Sequence, residues 1–181
     1  MISNEINLTS FEHTLNHFSG KALIERQENR FILDFCFNGR IDQVFIPESI
    51  GTSYSRGDQL WEDTCLEFFI KDNSTGHYIE FNFSPSGNWN SYFFEDYRKG
   101  MSKYYETSLL DLSSHTTNDT FSTKIHFQLE KSDLFNISTI HLYNISAILK
   151  LKNGDLSHWA HRHPKSDEPD FHHPFSFSKI L

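Results

Sequence analysis

The chain has 181 residues, a formal net charge of −8 at neutral pH, and 18 Phe, 7 Tyr and 3 Trp. That length suits one domain, residues 1–181, and the aromatic load can fill a core and still leave rings for a binding surface. The negative charge argues against nucleic acid as a partner, because gripping phosphate backbones rests on Lys and Arg, and no apolar run nears the ~18 residues of a membrane helix.

The opening MISNEINLTSFEHTL has neither the basic start nor the apolar stretch of a signal peptide, so a cytoplasmic location is expected. Cys36 and Cys65 lie inside strand-like runs and read as buried free thiols.

Alternation of apolar and polar residues is the dominant pattern. It predicts a first strand over Lys21–Gln27 and a second over Arg30–Asn38, with Phe31, Leu33, Phe35 and Phe37 on one face. The Asn38-Gly39 step then predicts a hairpin into Ile41–Ile46, and Pro47–Leu60 has no period and reads as a loop. Cys65–Lys71 and His77–Ser84 follow as strands, joined by a polar connection, and Trp89–Tyr97 as a third. Lys99–Asp119 is irregular, with a short strand expected in Tyr104–Leu110. Thr120–Leu129 alternates without a break, and Ser132–Phe135 fits one helical turn capped by Ser132. His141–Lys152 is the last long strand, with Tyr143, Ile145, Ala147, Leu149 and Leu151 pointing inward. Asn153-Gly154 turns it into Leu156–Ala160, and a His- and Pro-rich segment leads to an end strand, Phe175–Lys179. No 3.6-residue period is sustained. The expected fold is all-β, a two-sheet antiparallel sandwich of jelly-roll or immunoglobulin type with about nine to eleven strands.

The two central strands carry a pure apolar face of Leu66, Phe68, Ile70, Ile79, Phe81 and Phe83, and an opposite face of Glu67, Phe69, Tyr78, Glu80 and Asn82. A simple hairpin centred near Asn73-Ser74 would set Glu67 directly across from Glu80, where like charges about 4.5–5.5 Å apart at Cβ repel. Such a pair needs an arginine between the carboxylates, a bridging cation or a shared proton. With Trp61, Trp89, Tyr92 and Arg98 nearby in sequence, this face suits a sugar, whose C–H faces stack on rings while its hydroxyls bond to Glu and Asn.

The run Leu60-Trp-Glu-Asp-Thr-Cys-Leu-Glu-Phe-Phe69 resembles the central strand of DOMON-like domains related to family 9 carbohydrate-binding modules. Tyr78-Ile-Glu-Phe-Asn-Phe-Ser-Pro85, Trp89, Tyr92, Tyr97-Arg98 and Gly100-Met101 continue the resemblance. Ser157-His-Trp-Ala-His-Arg-His163 and Pro169-Asp-Phe-His172 look like the tail of one bacterial subgroup, so the likeness runs from about residue 20 to the end. It implies a β-sandwich with a non-catalytic binding role. By position it implies Trp61 and Glu67 as sugar contacts, Asn82 beside them and Trp159 as the second aromatic wall. Glu80 departs from the family, which has a basic residue there, and the modules themselves are secreted appendages of larger enzymes.

Three functions follow as expectations. The first is a binding domain for a carbohydrate or similar polyol, using Trp61, Glu67, Glu80, Asn82, Trp89, Arg98 and Trp159. The second is a glycosidase-like enzyme with Glu67 and Glu80 as its carboxyl pair, which requires a separation of about 5–5.5 Å in a retaining mechanism. The third is a metal or haem carrier. His161, His163 and His172, with Asp167 and Asp170, supply ligand types suited to zinc, and Met101 with a histidine would supply haem's axial pair. A divalent ion, calcium or zinc, is the expected cofactor if there is one, although Asp58, Asp63, Asp72 and Asp96 form no recognisable calcium loop. A protein-interaction module without a small ligand is the remaining reading.

Overall fold

Phe, Leu and Ile at every second position drive the chain into strands, and a computed structural model describes it outside residues 1, 13, 14, 16, 50, 52, 180 and 181. The described residues form thirteen strands. They are β1 (Ile2–Ser10), β2 (Ser19–Gln27), β3 (Arg30–Asn38), β4 (Ser55–Arg56), β5 (Cys65–Asp72), β6 (Tyr78–Phe83) and β7 (Asn88–Phe94). The series continues with β8 (Ser102–Lys103), β9 (Thr107–Thr116), β10 (Thr120–Leu129), β11 (Ile140–Lys150), β12 (Leu156–Ala160) and β13 (Ser178–Lys179). Among the described residues the only helical elements are short 3-10 turns, and no helix is long and apolar enough to cross a membrane.

The strands hydrogen-bond in the order β4-β7-β6-β5-β11-β12-β1-β2-β3-β10-β9, with β8 on β7 and β13 on β11. This is one curled sheet folded over on itself, rather than the two separate sheets expected. Strand β1 makes the corner. Its residues from Ile2 to Leu8 pair with β2, and Thr9 and Ser10 then pair with Ala160 and Trp159 of β12.

The fold-over brings the apolar faces of the two halves together. Phe31 and Phe127 from one half meet Phe68 and Phe81 from the other, with ring centroids 5.7 Å apart for Phe31–Phe68 and 4.8 Å for Phe81–Phe127. All four rings are buried, each worth about 1.5–3 kcal/mol on transfer from water.

The alternation located β3, β10 and β12 to the residue, and β5, β6, β7 and β11 nearly so. Four expectations change. Asn38-Gly39 does not close a hairpin: β3 pairs with β2 and β10, and the chain beyond enters a 3-10 turn, Ile41–Gln43. Within the expected loop Pro47–Leu60 lies β4, pairing parallel to β7, while residues 50 and 52 fall outside the described residues. Residues 132–135 make a bend in which the Ser132 hydroxyl accepts the Leu134 N–H, not a helical turn. Finally, Pro174–Ser176 is a 3-10 turn and only Ser178–Lys179 is strand.

Candidate functional site

The expected polar face of β5 and β6 is not open to solvent. The chain beyond β12 crosses over it as an irregular strap, and Phe171 and Phe177 pack with Phe69, Tyr78, Tyr92, Phe94 and Ile148 into a second apolar cluster. The strap's backbone is fastened by Asn144, whose amide donates to the Phe171 carbonyl at 2.8 Å. A cavity of about 390 Å³ remains between strap and sheet, within the range of small-molecule sites.

Sheet register decides what faces this cavity. Asn82, Glu67, Ser146 and Ala160 form one cross-strand row over β6, β5, β11 and β12, and Tyr92, Glu80, Phe69 and Asn144 form the next over β7, β6, β5 and β11. Glu67 therefore pairs with Asn82, not with Glu80. The connection between β5 and β6 is two residues longer on its far side than a loop centred on Asn73-Ser74, which moves its centre to Ser74-Thr75. Gly76, at φ +82°, donates its N–H to the Asp72 carbonyl, and Asp72 donates its own to His77. This shift makes the glutamates diagonal neighbours, a relation that separates Cα atoms by about 7–8 Å.

Both glutamates are buried, 3% exposed for Glu67 and 5% for Glu80. Burial raises both carboxyls well above the ordinary carboxylate range, and for Glu67 the charge of Glu80 adds to it. Hydrogen bonds oppose the shift. Ser146 donates to Glu67 Oε2 at 3.0 Å, and the Asn82 amide donates to Glu80 Oε1 at 2.7 Å. Near neutral pH the pair therefore retains proton character, and a neutral carboxyl can donate a hydrogen bond as well as accept one.

Arg98 stands at the cavity edge with φ +53°, a left-handed backbone that costs a non-glycine residue about 1–3 kcal/mol. Its backbone N–H donates to the Tyr78 hydroxyl at 3.1 Å, and its guanidinium donates to Asp170 at 2.9 Å. Tyr97 also bonds to Asp170. The Tyr78 hydroxyl also hydrogen-bonds with His172 Nδ1, 2.8 Å away, and His172 Nε2 faces Glu80 Oε2 at 3.5 Å. Burial, helped by the Arg98 charge, pushes the imidazole down to about 4, so this is a contact of neutral imidazole and not an ion pair at neutral pH.

Of the residues singled out in the sequence, Trp61, Glu67, Glu80, Arg98, Met101, His158 and His172 line the cavity. Trp61, in a 3-10 turn at Leu60–Glu62, is held edge-on by Tyr92 at 5.8 Å, and Tyr92 in turn donates to Asp58 at 3.1 Å. Asn82 lies fully buried beneath and holds Glu80. Trp89 belongs to the opposite face, under the guanidinium of Arg56 at 4.1 Å, so it is no part of this cavity. Nor is Trp159. It is 2% exposed in the main core, edge-on to Phe37 at 5.6 Å, and donates its indole N–H to Ser157. The neighbouring parity positions, Ile148 and His158, face the cavity instead. His158 is paired there with Glu12.

His161, His163 and His172 do not converge. Their ring nitrogens meet Ser178, the Thr9 carbonyl and Tyr78 respectively, and the described residues hold no group of three or more His, Cys, Asp or Glu placed to bind a metal. The aspartates considered for calcium have structural partners: Asp58 with Lys103, Asp63 with Lys150, Asp72 in the Ser74 turn and Asp96 with the Tyr97 N–H. Ser146, Asn144, Ile148 and Phe171 were missed in the sequence. Their signal was present for the β11 residues, since inward Ile145, Ala147 and Leu149 put Asn144, Ser146 and Ile148 on the other face.

Comparison with solved structures returns a likeness of fold. A protein from Bacteroides uniformis ATCC 8492, described as a "putative carbohydrate-binding protein", superposes with a TM-score of 0.65 at 13% identity, over 98% of this chain and 84% of that one. Two structures of a family 9 carbohydrate-binding module from Caldicellulosiruptor kristjanssonii, in complex with cellotriose and with glucose, give a TM-score of 0.42 at 6% identity. Each covers 79% of this chain, and 64% and 65% of the respective modules. No family model and no curated protein matches the sequence. At 13% identity the first likeness establishes a shared all-β fold, and a fold does not carry its ligand with it.

Proposed function

We propose that this chain is a non-catalytic, DOMON-like binding domain whose cavity takes a carbohydrate or similar polyol. The observation that supports it is the joint lining of one cavity of about 390 Å³ by Trp61, Phe94 and Ile148 on the one hand and by Glu67, Glu80 and Arg98 on the other. A ring's C–H face packs on the apolar residues, and its hydroxyls meet groups that donate as well as accept. The non-catalytic reading rests on the DOMON-like resemblance and on the register, which makes Glu67 and Glu80 diagonal rather than directly facing, as the retaining carboxyl pair assumed.

Thermal-shift titration against mono- and disaccharides tests this. A sugar at 100 times its dissociation constant stabilises the fold by about 2.7 kcal/mol, and Trp61→Ala is expected to abolish the shift while leaving a cooperative melt. No shift with any sugar, or an unchanged shift in Trp61→Ala, would overturn the reading.

A further inference from the structure

Charges inside the cavity do not balance. Glu67 uses Oε2 to accept from Ser146, and no described residue hydrogen-bonds to its Oε1. Glu80 Oε2 has only the long 3.5 Å approach of His172. The single Arg or Lys among the described lining residues, Arg98, is already hydrogen-bonded to Asp170. Two carboxyls thus share one cavity whose single cation, Arg98, is engaged by Asp170, beside an apolar surface that includes Trp61.

We propose that the cavity selects a sugar-like ligand bearing a protonated amine, with the ammonium seated between Glu67 and Glu80 and the ring against Trp61. This rests on the binding function proposed above and names the class of ligand. An ammonium brings three donors, enough for Glu67 Oε1 and Glu80 Oε2 together, and its charge offsets what two desolvated carboxylates otherwise carry unpaired. A metal ion is a poorer occupant, because the described residues offer it no third ligand. A neutral polyol fits the walls but leaves the pair to keep a proton.

That difference gives the proposal a thermodynamic signature. Several titratable groups around the pair stay fixed near neutral pH. Burial pushes the Cys65 thiol and the Tyr78 and Tyr92 phenols up, and His172 is held neutral. Arg98 is paired with Asp170 and His158 with Glu12. Seating an ammonium therefore ionises Glu67 and Glu80 and releases a proton to the buffer, whereas seating a hydroxyl does not.

Isothermal titration with glucosamine, glucose and N-acetylglucosamine is the test, in buffers of different ionisation enthalpy. Glucosamine is expected to bind at least about tenfold tighter than either neutral sugar at pH 7, with buffer-dependent heat, and to lose about that factor at pH 5.5. In Glu67→Gln and in Glu80→Gln the amine's advantage over glucose should fall by roughly tenfold, with a cooperative thermal melt reporting that each variant folds. Neutral sugars binding as tightly as glucosamine, or glucosamine binding without proton release, would overturn the amine and leave the carbohydrate reading standing. Silence with all three sugars, together with silence across the wider sugar panel, would overturn both.

Discussion

The two faces of β5 and β6 are both buried, but by different means. On one, Leu66, Phe68, Ile70, Ile79, Phe81 and Phe83 meet the other half of the folded sheet, ring against ring. On the other, Glu67, Phe69, Tyr78, Glu80 and Asn82 lie under an irregular strap held at points, by Asn144, Tyr78 and Arg98. A sheet laid on a sheet fills the gap with interdigitated side chains. A strap fastened at points leaves space between its fasteners, and here the space falls over two carboxyls. The comparison teaches that enclosure alone does not make a core: the regular cover makes stability, the irregular one makes a cavity.

The most severe way to break the contrast is Phe68→Ala. It empties a ring's volume from the sheet-on-sheet face and should cost about 3–5 kcal/mol, read as a lowered midpoint in chemical denaturation. Asn144→Ala attacks the strap instead. It removes the donor to the Phe171 carbonyl, should cost about 1–3 kcal/mol, and should speed amide exchange in residues 161–177 while that of β3 and β10 is barely altered. An equal increase in all strands would show that strap and sheet open as one unit.

The third prediction concerns pH. A carboxyl raised on folding contributes stability that is whole below its unfolded value, 4.5, and is lost as pH climbs through the raised folded value. His161 and His172, pushed down to about 4 chiefly by burial, act with the opposite sign. Their contribution is present above 6.5 and is lost as pH falls through about 4. The melting temperature should therefore decline on both sides of a mildly acidic maximum, and Glu67→Gln with Glu80→Gln should flatten the alkaline limb alone. An alkaline limb that persists in the double variant would mean that the pair is ionised in the free protein. The smallest effect is expected from Asp170→Asn, which weakens a pair whose Arg98 side chain is half exposed. It should cost under about 1 kcal/mol and diminish in high salt.

How much of this was legible in the sequence depended on what covers each strand. Where a strand has one face on the core and one toward solvent, as in β3 and β10, alternation gave its limits to the residue. Strand β9 is an edge whose Leu109 and Leu110 both interrupt the alternation, at a bulge between His126 and Phe127 of its partner, and only its start was anticipated. Strand β1 went unrecognised because Asn4 interrupts its apolar positions, Ile2, Ile6 and Leu8. At the site, Glu67, Glu80, Trp61 and Arg98 were chosen from residue type and spacing, but their spatial relation depended on a loop length that alternation does not set. Trp159 was misplaced although parity could have corrected it: its partner Ala147 faces the core, so Trp159 does too. The strap left no periodic trace, since its contacts are made by single residues such as Phe171.

The corner at β1 has a consequence for how the molecule assembles. Thr9 meets Ala160 across 151 positions of chain, and among the named strands of the described residues this junction joins the two halves of the sheet into one hydrogen-bonded path. On a ribosome the β1–β12 seam must wait until Ala160 has emerged, with β1 meanwhile held by β2. Contacts of such long reach close slowly, because the loop entropy is lost before the pairing is gained. The seam is thus the late step of folding, and until it closes the edges of β1 and β12 remain open to pairing with another chain.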